Sequence, residues 1–256
     1  MKSLETALRA VRNARRKALV PYFVAGLTPD WTRYVEAAVA GGADAVEIGI
    51  PFSDPMMDGV VIQEAALHAL RAGTTLDSAC SDLSSMSASV PLVVMTYFNI
   101  VHHYGLESSA AKLHATGILG AIVPDLTLEE ATGWRKACDA HDVATVFLVA
   151  PSSPPERVAR LAEASEGFLY ASARMAVTGR ADDIGDASDV VQRVRAASDL
   201  PVYVGIGITT PAQAREAARH GDGVIVGSVL VKMILDGATP EQIEHAVGSF
   251  RSALDD

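Results

Sequence analysis

Two cysteines in 256 residues leave little room for disulfide or thiolate–metal chemistry. Cys80 and Cys138 fall in no Cys-x-x-Cys spacing and read as reduced thiols, not as a staple or a metal clamp. Positive charge is also scarce. Lys and Arg number 21 against 31 Asp and Glu, a net charge of −10. That balance argues against nucleic acid or an anionic membrane as the main partner, although a locally positive site is compatible with an anionic substrate. No stretch approaches the ~20 consecutive apolar residues of a membrane span. Arg12, Arg15, Arg16 and Lys17 before ALVPYFVAGL give the outline of a secretory leader. The apolar run is short, however, contains Pro21, and runs into TPDW instead of a small-residue cleavage site. A buried first strand behind an amphipathic helix fits better, and with it a cytoplasmic location. Neither GxGxxG nor GxxxxGK[ST] occurs, which argues against an open doubly wound sheet. Linkers and low-complexity segments are missing too, and residues 1–256 read as a single domain.

What is present is alternation. Leu4, Leu8 and Val11 share one helical face, so 2–16 reads as a leading helix. Short β-rich runs follow at 18–25, 43–50, 91–97, 117–123, 144–150, 167–172, 201–207 and 223–228. Between them lie helical segments rich in Ala, Glu and Arg, and the long connection 60–88 holds two helices split at Gly73–Thr74. Eight strands, each followed by helix, imply a parallel sheet covered on its outer face. At a length near the ~250 residues typical of the fold, the expectation is an eight-stranded parallel (β/α)8 TIM barrel with an extra N-terminal helix.

Chemistry points to the second strand. In ADAVEIGIPFSDPMMDG (43–59), Val46, Ile48 and Ile50 face one way and Ala45, Glu47 and Gly49 the other. The first set suits packing under helices. The second puts one carboxylate among small residues on the inner face of a barrel, near the strand's C-terminal end, where such barrels carry their active sites. Pro51 ends the strand, and the following loop carries Asp54 and Asp58 over the same opening. Glu47 and Asp58 are therefore the candidate catalytic pair. Asp54 reads as a loop cap or an interface residue.

The seventh and eighth strands end in glycine. Gly205 and Gly207 in VYVGIGI point inward, and Gly227–Ser228 precede apolar residues able to start a short helix. Glycines there let backbone N–H groups approach an anion, and a helix N-terminus adds unpaired donors, so a phosphate site is expected. The long loop after the sixth strand, carrying Val177, Thr178 and Gly179 and spanning 174–187, reads as a lid. His102 and His103 read as surface residues in a loop, and Met56 and Met57 as a pocket edge or an interface. No strand interior offers a lysine for Schiff-base chemistry, and Lys232 lies beyond the eighth strand.

Over nearly its whole length the chain resembles the tryptophan synthase alpha subunits and their stand-alone indole-3-glycerol-phosphate lyase relatives. The resemblance rests on EIGIPFSDP…DG at 47–59, IQ at 62–63, MTYFN at 95–99, PD at 124–125, VTG at 177–179, GIGI at 205–208 and GS…VK at 227–232. It implies a lyase of tryptophan biosynthesis that cleaves indole-3-glycerol phosphate to indole and glyceraldehyde 3-phosphate. By the same resemblance Glu47 and Asp58 are catalytic, Gly179, Gly207, Gly227 and Ser228 bind phosphate, and Tyr97, Tyr170 and Thr178 lie near the substrate or the closing loop. Tyr22 matches an aromatic lining the indole pocket. No metal or organic cofactor is implied, and the implied partner is a beta subunit in an alpha2beta2 assembly. A self-sufficient lyase releasing free indole and a non-catalytic regulatory subunit are the alternatives. The sequence departs from the family pattern at LTPD after Gly26, at Val60 after Gly59, at LT after Asp125, and at Met175–Ala176. None of these removes a catalytic group, and several fall at the barrel mouth, where they bear on the partner more than on the reaction.

Overall fold

The computed structural model describes residues 2–172, 185–205 and 207–256. Its sheet strands are β1 (Ala18–Val24), β2 (Val46–Gly49), β3 (Leu92–Met95), β4 (Ile118–Ile122), β5 (Ala144–Val146), β6 (Leu148–Val149), β7 (Leu169–Ser172), β8 (Val202–Gly205) and β9 (Gly223–Val226). All pairings are parallel, in the order β5-β4-β3-β2-β1-β9-β8-β7-β6. β5 and β6 are two segments of one strand, which closes the sheet as the eighth stave of the barrel. The run 144–150, expected as one strand, breaks at Phe147 because its N–H turns to the buried Ser165 hydroxyl (3.0 Å). The Phe147 carbonyl still receives the N–H of Tyr170 at 3.1 Å, so the barrel is not opened there.

Twelve helices accompany the strands among the described residues. The leading helix is α1 (Ser3–Asn13), and the 60–88 connection divides as expected into α3 (Val60–Arg71) and α4 (Leu76–Ser84). Before these comes α2 (Thr32–Ala40). After β3 the chain forms α5 (Phe98–Tyr104) and α6 (Leu106–Ala115), then α7 (Thr132–Ala140), α8 (Pro155–Ala164) and α9 (Gly185–Ala197). The last three are α10 (Pro211–Ala218), α11 (Ser228–Leu235) and α12 (Pro240–Asp255). Local chemistry fixes several starts. Thr75, Thr210 and Thr239 each accept the N–H three residues on, and Pro follows at the first helical position of α10 and α12.

Period-two alternation separates two cores. Outward residues such as Val46, Ile48, Val94, Val202, Val204 and Val226 join the helices in the outer layer. Inward residues such as Val20, Tyr22, Val93, Ile122, Val146, Tyr203 and Ile225 fill the barrel. α1 stoppers the barrel at the N-terminal ends of the strands, with Leu4 and Leu8 fully buried in that inner core. The plug fits because of glycine: a Cβ on Gly120 or Gly167 would meet Leu4 Cδ2 at 2.5 and 2.7 Å.

One helix escaped the sequence reading. His102 and His103 were expected in a loop, but they lie exposed on α5. Phe98 and Asn99 give little helical signal in seven residues. The start is fixed from elsewhere in the chain, by the Asp125 carboxylate accepting the Phe98 N–H at 2.9 and 3.1 Å. Cys80 and Cys138 are both buried and free.

Candidate active site

The strand carrying Glu47 has the orientation its pattern demands. Val46 and Ile48 are in the outer core, and Glu47 points into the barrel at 3 % exposure. On the adjoining strand Tyr22 is its register partner. Tyr22 fits because the neighbouring inward position is glycine: a Cβ on Gly49 would stand 2.0 Å from the Tyr22 hydroxyl. Across the barrel Tyr170 uses Gly205 in the same way, with 2.2 Å between its hydroxyl and a Cβ there. Two phenols thus lie over two glycines around one buried acid.

Asp58 reaches the same place from the loop after β2. Tyr97 holds that loop: its hydroxyl accepts the Met57 N–H at 3.1 Å and donates to the Asp58 carboxylate. The Phe52 ring stacks on Tyr97 at 5.0 Å between centroids. From α3, the Gln63 side-chain amide donates to the Asp58 carbonyl at 2.8 Å. Three side chains therefore place a carboxylate that the backbone alone would leave at large.

A cavity of about 120 Å³ joins these groups at the C-terminal ends of the strands. Its walls bring together Tyr22, Glu47, Asp58, Tyr170, Gly207, Gly227 and Ser228, all expected from the sequence. Tyr97 stands behind Asp58 instead of on the wall. Thr178 and Gly179, with Met175–Ala176 and most of the expected lid, lie outside the described residues. Gly207 adopts φ +88°, a conformation natural to glycine. Gly227 and Ser228 form the start of α11, whose N-terminus faces the opening with Gly227 lacking a side-chain cap. That end presents unpaired N–H groups and a favourable dipole to an anion.

The sequence reading named polar groups and missed most of the apolar wall. Ile62, Met95, Ile122, Leu148 and Ile225 line the cavity between the two carboxylates and the glycine rim. All but Ile62 occupy inward positions of strands, so the alternation used for Glu47 carried that signal. Asp54 is exposed and accepts the adjacent Ser53 hydroxyl.

The electrostatics divide the carboxylates into an acid and an anion. Burial pushes Glu47 up to about 8, and the neighbouring Asp58 charge adds to the rise. Asp58 goes only to about 6: burial raises it, and the hydrogen bond from Tyr97 works against that rise. Asp58 ionises first, and its charge then opposes ionisation of Glu47. Near neutral pH the site holds a protonated Glu47 beside an ionised Asp58. Burial also holds the Tyr22 and Tyr170 phenols well above the usual range, assisted by both carboxylates, so they stay protonated. Among the described residues no group of three or more His, Cys, Asp or Glu is arranged to hold a metal ion.

Residues 8–254 match the family model described as tryptophan synthase alpha chain. The tryptophan synthase alpha chain of Thermobifida fusca is 44 % identical, over 99 % of this chain and 97 % of its own. That of Mycobacterium ulcerans is 47 % identical, over 88 % and 86 %. Among solved structures, Mycobacterium tuberculosis tryptophan synthase superposes with a TM-score of 0.91 at 40 % identity, covering 99 % of this chain and 98 % of that one. With the barrel, the paired carboxylates and the glycine rim already in place, these likenesses extend over almost the entire sequence. The chain belongs to the tryptophan synthase alpha chain family.

Proposed function

We propose that the chain is a lyase that cleaves indole-3-glycerol phosphate to indole and glyceraldehyde 3-phosphate, as the alpha subunit of a tryptophan synthase. The observation that carries this reading is a buried, protonated Glu47 sharing one cavity with an ionised Asp58. Breaking the bond between indole C3 and the glycerol chain requires a proton on C3, so that the ring leaves as a neutral molecule. It also requires the adjacent glycerol hydroxyl to lose its proton as the aldehyde forms. Glu47 gives the first proton and its carboxylate takes the second, so protons balance over the cycle. Acid–base assistance of this kind supplies ~10²–10⁴-fold. Protonation at C3 leaves positive charge at the ring N–H, which the Asp58 carboxylate stabilises.

The remaining walls suit the rest of the substrate. Indole lies against Ile62, Met95, Ile122 and Leu148, with Tyr22 and Tyr170 at its edges. The phosphate sits on the glycine rim, at Gly207 and at Gly227 and Ser228 where α11 begins. Large apolar side chains stand exposed beside the mouth: Met56 at 67 %, Met57 at 43 % and Val60 at 72 %. Such a patch, on the loop that carries Asp58 and at the start of α3, suits a partner surface, here the beta subunit. We place the protein in the cytoplasm; no helix among the described residues is long and apolar enough to cross a membrane.

The test is indole release from indole-3-glycerol phosphate by the purified chain, alone and with a beta-type subunit. Slow release alone and strong acceleration by the partner is the expected result. Fast release unaffected by the partner would make it a self-sufficient lyase. No release in either condition would refute the catalytic reading.

A further inference from the structure

Glu47 has an unsolved problem once it gives up its proton. Its Oε2 is buried and has no hydrogen-bond partner among the described residues. A neutral carboxyl tolerates that position, whereas a bare carboxylate does not. The groups facing it are Asp58 from the loop after β2, Tyr97 behind Asp58, Tyr22 on β1 and Tyr170 on β7. No Lys, Arg or His lines the cavity among the described residues. Asp58 repels the charge, and Tyr97 is occupied with Asp58 and the Met57 N–H.

Tyr22 is placed differently. It is the register partner of Glu47 on the neighbouring strand, and its hydroxyl lies over Gly49, two residues beyond Glu47 on the same inward face. No hydrogen bond of that hydroxyl is found among the described residues. Positions two apart along one strand face are ~6.6 Å apart, and a glutamate side chain turned along the strand covers most of that distance. Gly49 leaves the path open, because no Cβ stands between the two groups.

We propose that Tyr22 is a positioning residue for Glu47, its hydroxyl donating a hydrogen bond to the Glu47 carboxylate whenever that group is ionised. The proposal rests on the reading of Glu47 as the proton-transferring acid. Between the two proton transfers of a turnover the carboxylate turns toward Gly49, accepts from Tyr22, and returns to take the glycerol proton. The phenol keeps its own proton throughout.

The test is the titration of Glu47 in the full chain, read from carboxyl carbon-13 signals of labelled glutamate, with Glu47→Gln to assign the resonance. Tyr22→Phe keeps the ring and deletes only the donor. The expected result is a midpoint raised by about one unit, the equivalent of one hydrogen bond to a charge. With indole-3-glycerol phosphate, kcat falls ~10-fold, KM stays within about twofold, and the basic limb of the pH profile moves up by the same unit. An unchanged midpoint overturns the proposal, as does an effect confined to KM, which would leave Tyr22 only a wall of the pocket. A raised midpoint in a chain inert toward the substrate would keep the Tyr22–Glu47 contact and remove the lyase reading instead.

Discussion

Replacing Asp58 by Asn and following kcat/KM against pH isolates the division of labour between the carboxylates. On the proposed mechanism the active form carries an ionised Asp58 and a protonated Glu47. With midpoints of about 6 and about 8, each condition is met in about nine-tenths of molecules at pH 7, and both in about four-fifths. The profile of the unsubstituted protein is therefore a bell centred near pH 7, falling about tenfold per unit beyond either limb. Asn cannot ionise, so the acidic limb vanishes. The basic limb moves down, because the like charge that helped to hold the proton on Glu47 is gone. It stays above the ordinary carboxylate range, because burial is the larger cause of the shift. The plateau itself drops ~10²-fold as the ring N–H loses its counter-charge. Indole release, measured from about pH 5 to 10 at substrate concentrations below KM, reads all three effects. A two-limbed profile persisting in Asp58→Asn, or a basic limb that does not move, would refute the assignment.

Glu47→Gln should abolish measurable turnover (a loss of ~10²–10⁴-fold) while making the fold more stable. From pH 4.5 up to about 8 the unfolded chain has released this proton and the folded chain retains it, so stability falls as pH rises through that window. Gln is exempt, and urea unfolding at about pH 9 should show a gain of at most about 5 kcal/mol that disappears near pH 4. Tyr97→Phe removes the donor that eases Asp58 ionisation, so the acidic limb should move up and kcat/KM at pH 6 should fall further than at pH 7.5. Gly223→Ala should be severe, because its Cβ would stand 2.4 Å from the Ala18 backbone carbonyl where β9 pairs with β1. A cost of ~3 kcal/mol should appear as a Tm lower by about 5–10 °C.

Period-two and helical spacing were sufficient to find every stave of the barrel, because each strand is apolar outward and each connection is long enough for a helix. They overran the strand ends by one to three residues, since the residues flanking a strand share its composition. What local pattern did not carry was set by partners distant in sequence. Phe147 breaks its strand because Ser165 takes its N–H, and α5 starts where it does because Asp125 is folded against it. The same division holds at the site. Glu47 and the glycine rim were legible because inward-facing and small residues stand out along a strand. The cradle of Asp58 was not: Tyr97, Phe52 and Gln63 meet only after three segments come together. In the resemblance IQ was a marker without a role and Tyr97 of MTYFN a residue near the substrate or the closing loop; folded, Gln63 and Tyr97 fasten the loop that carries Asp58.

Burial raises Glu47 more than its neighbour's charge does, so the acid depends on how the whole barrel is filled. Leu4 and Leu8 of α1 close one end, entering space that Gly120 and Gly167 leave free. Stacked Phe168 and Tyr203, 4.8 Å between centroids, belong to the same inner layer. Above them Tyr22 and Tyr170 lean over Gly49 and Gly205, and Glu47 lies among them with apolar side chains around. A side chain at any of these glycines would push a plug or a phenol aside and admit water toward the carboxyl. Water would lower its pKa and leave it ionised at neutral pH, unable to act as the acid of the proposed cleavage. The inward glycines therefore act on the chemistry through packing: they let large side chains exclude solvent, and exclusion of solvent keeps the proton on Glu47.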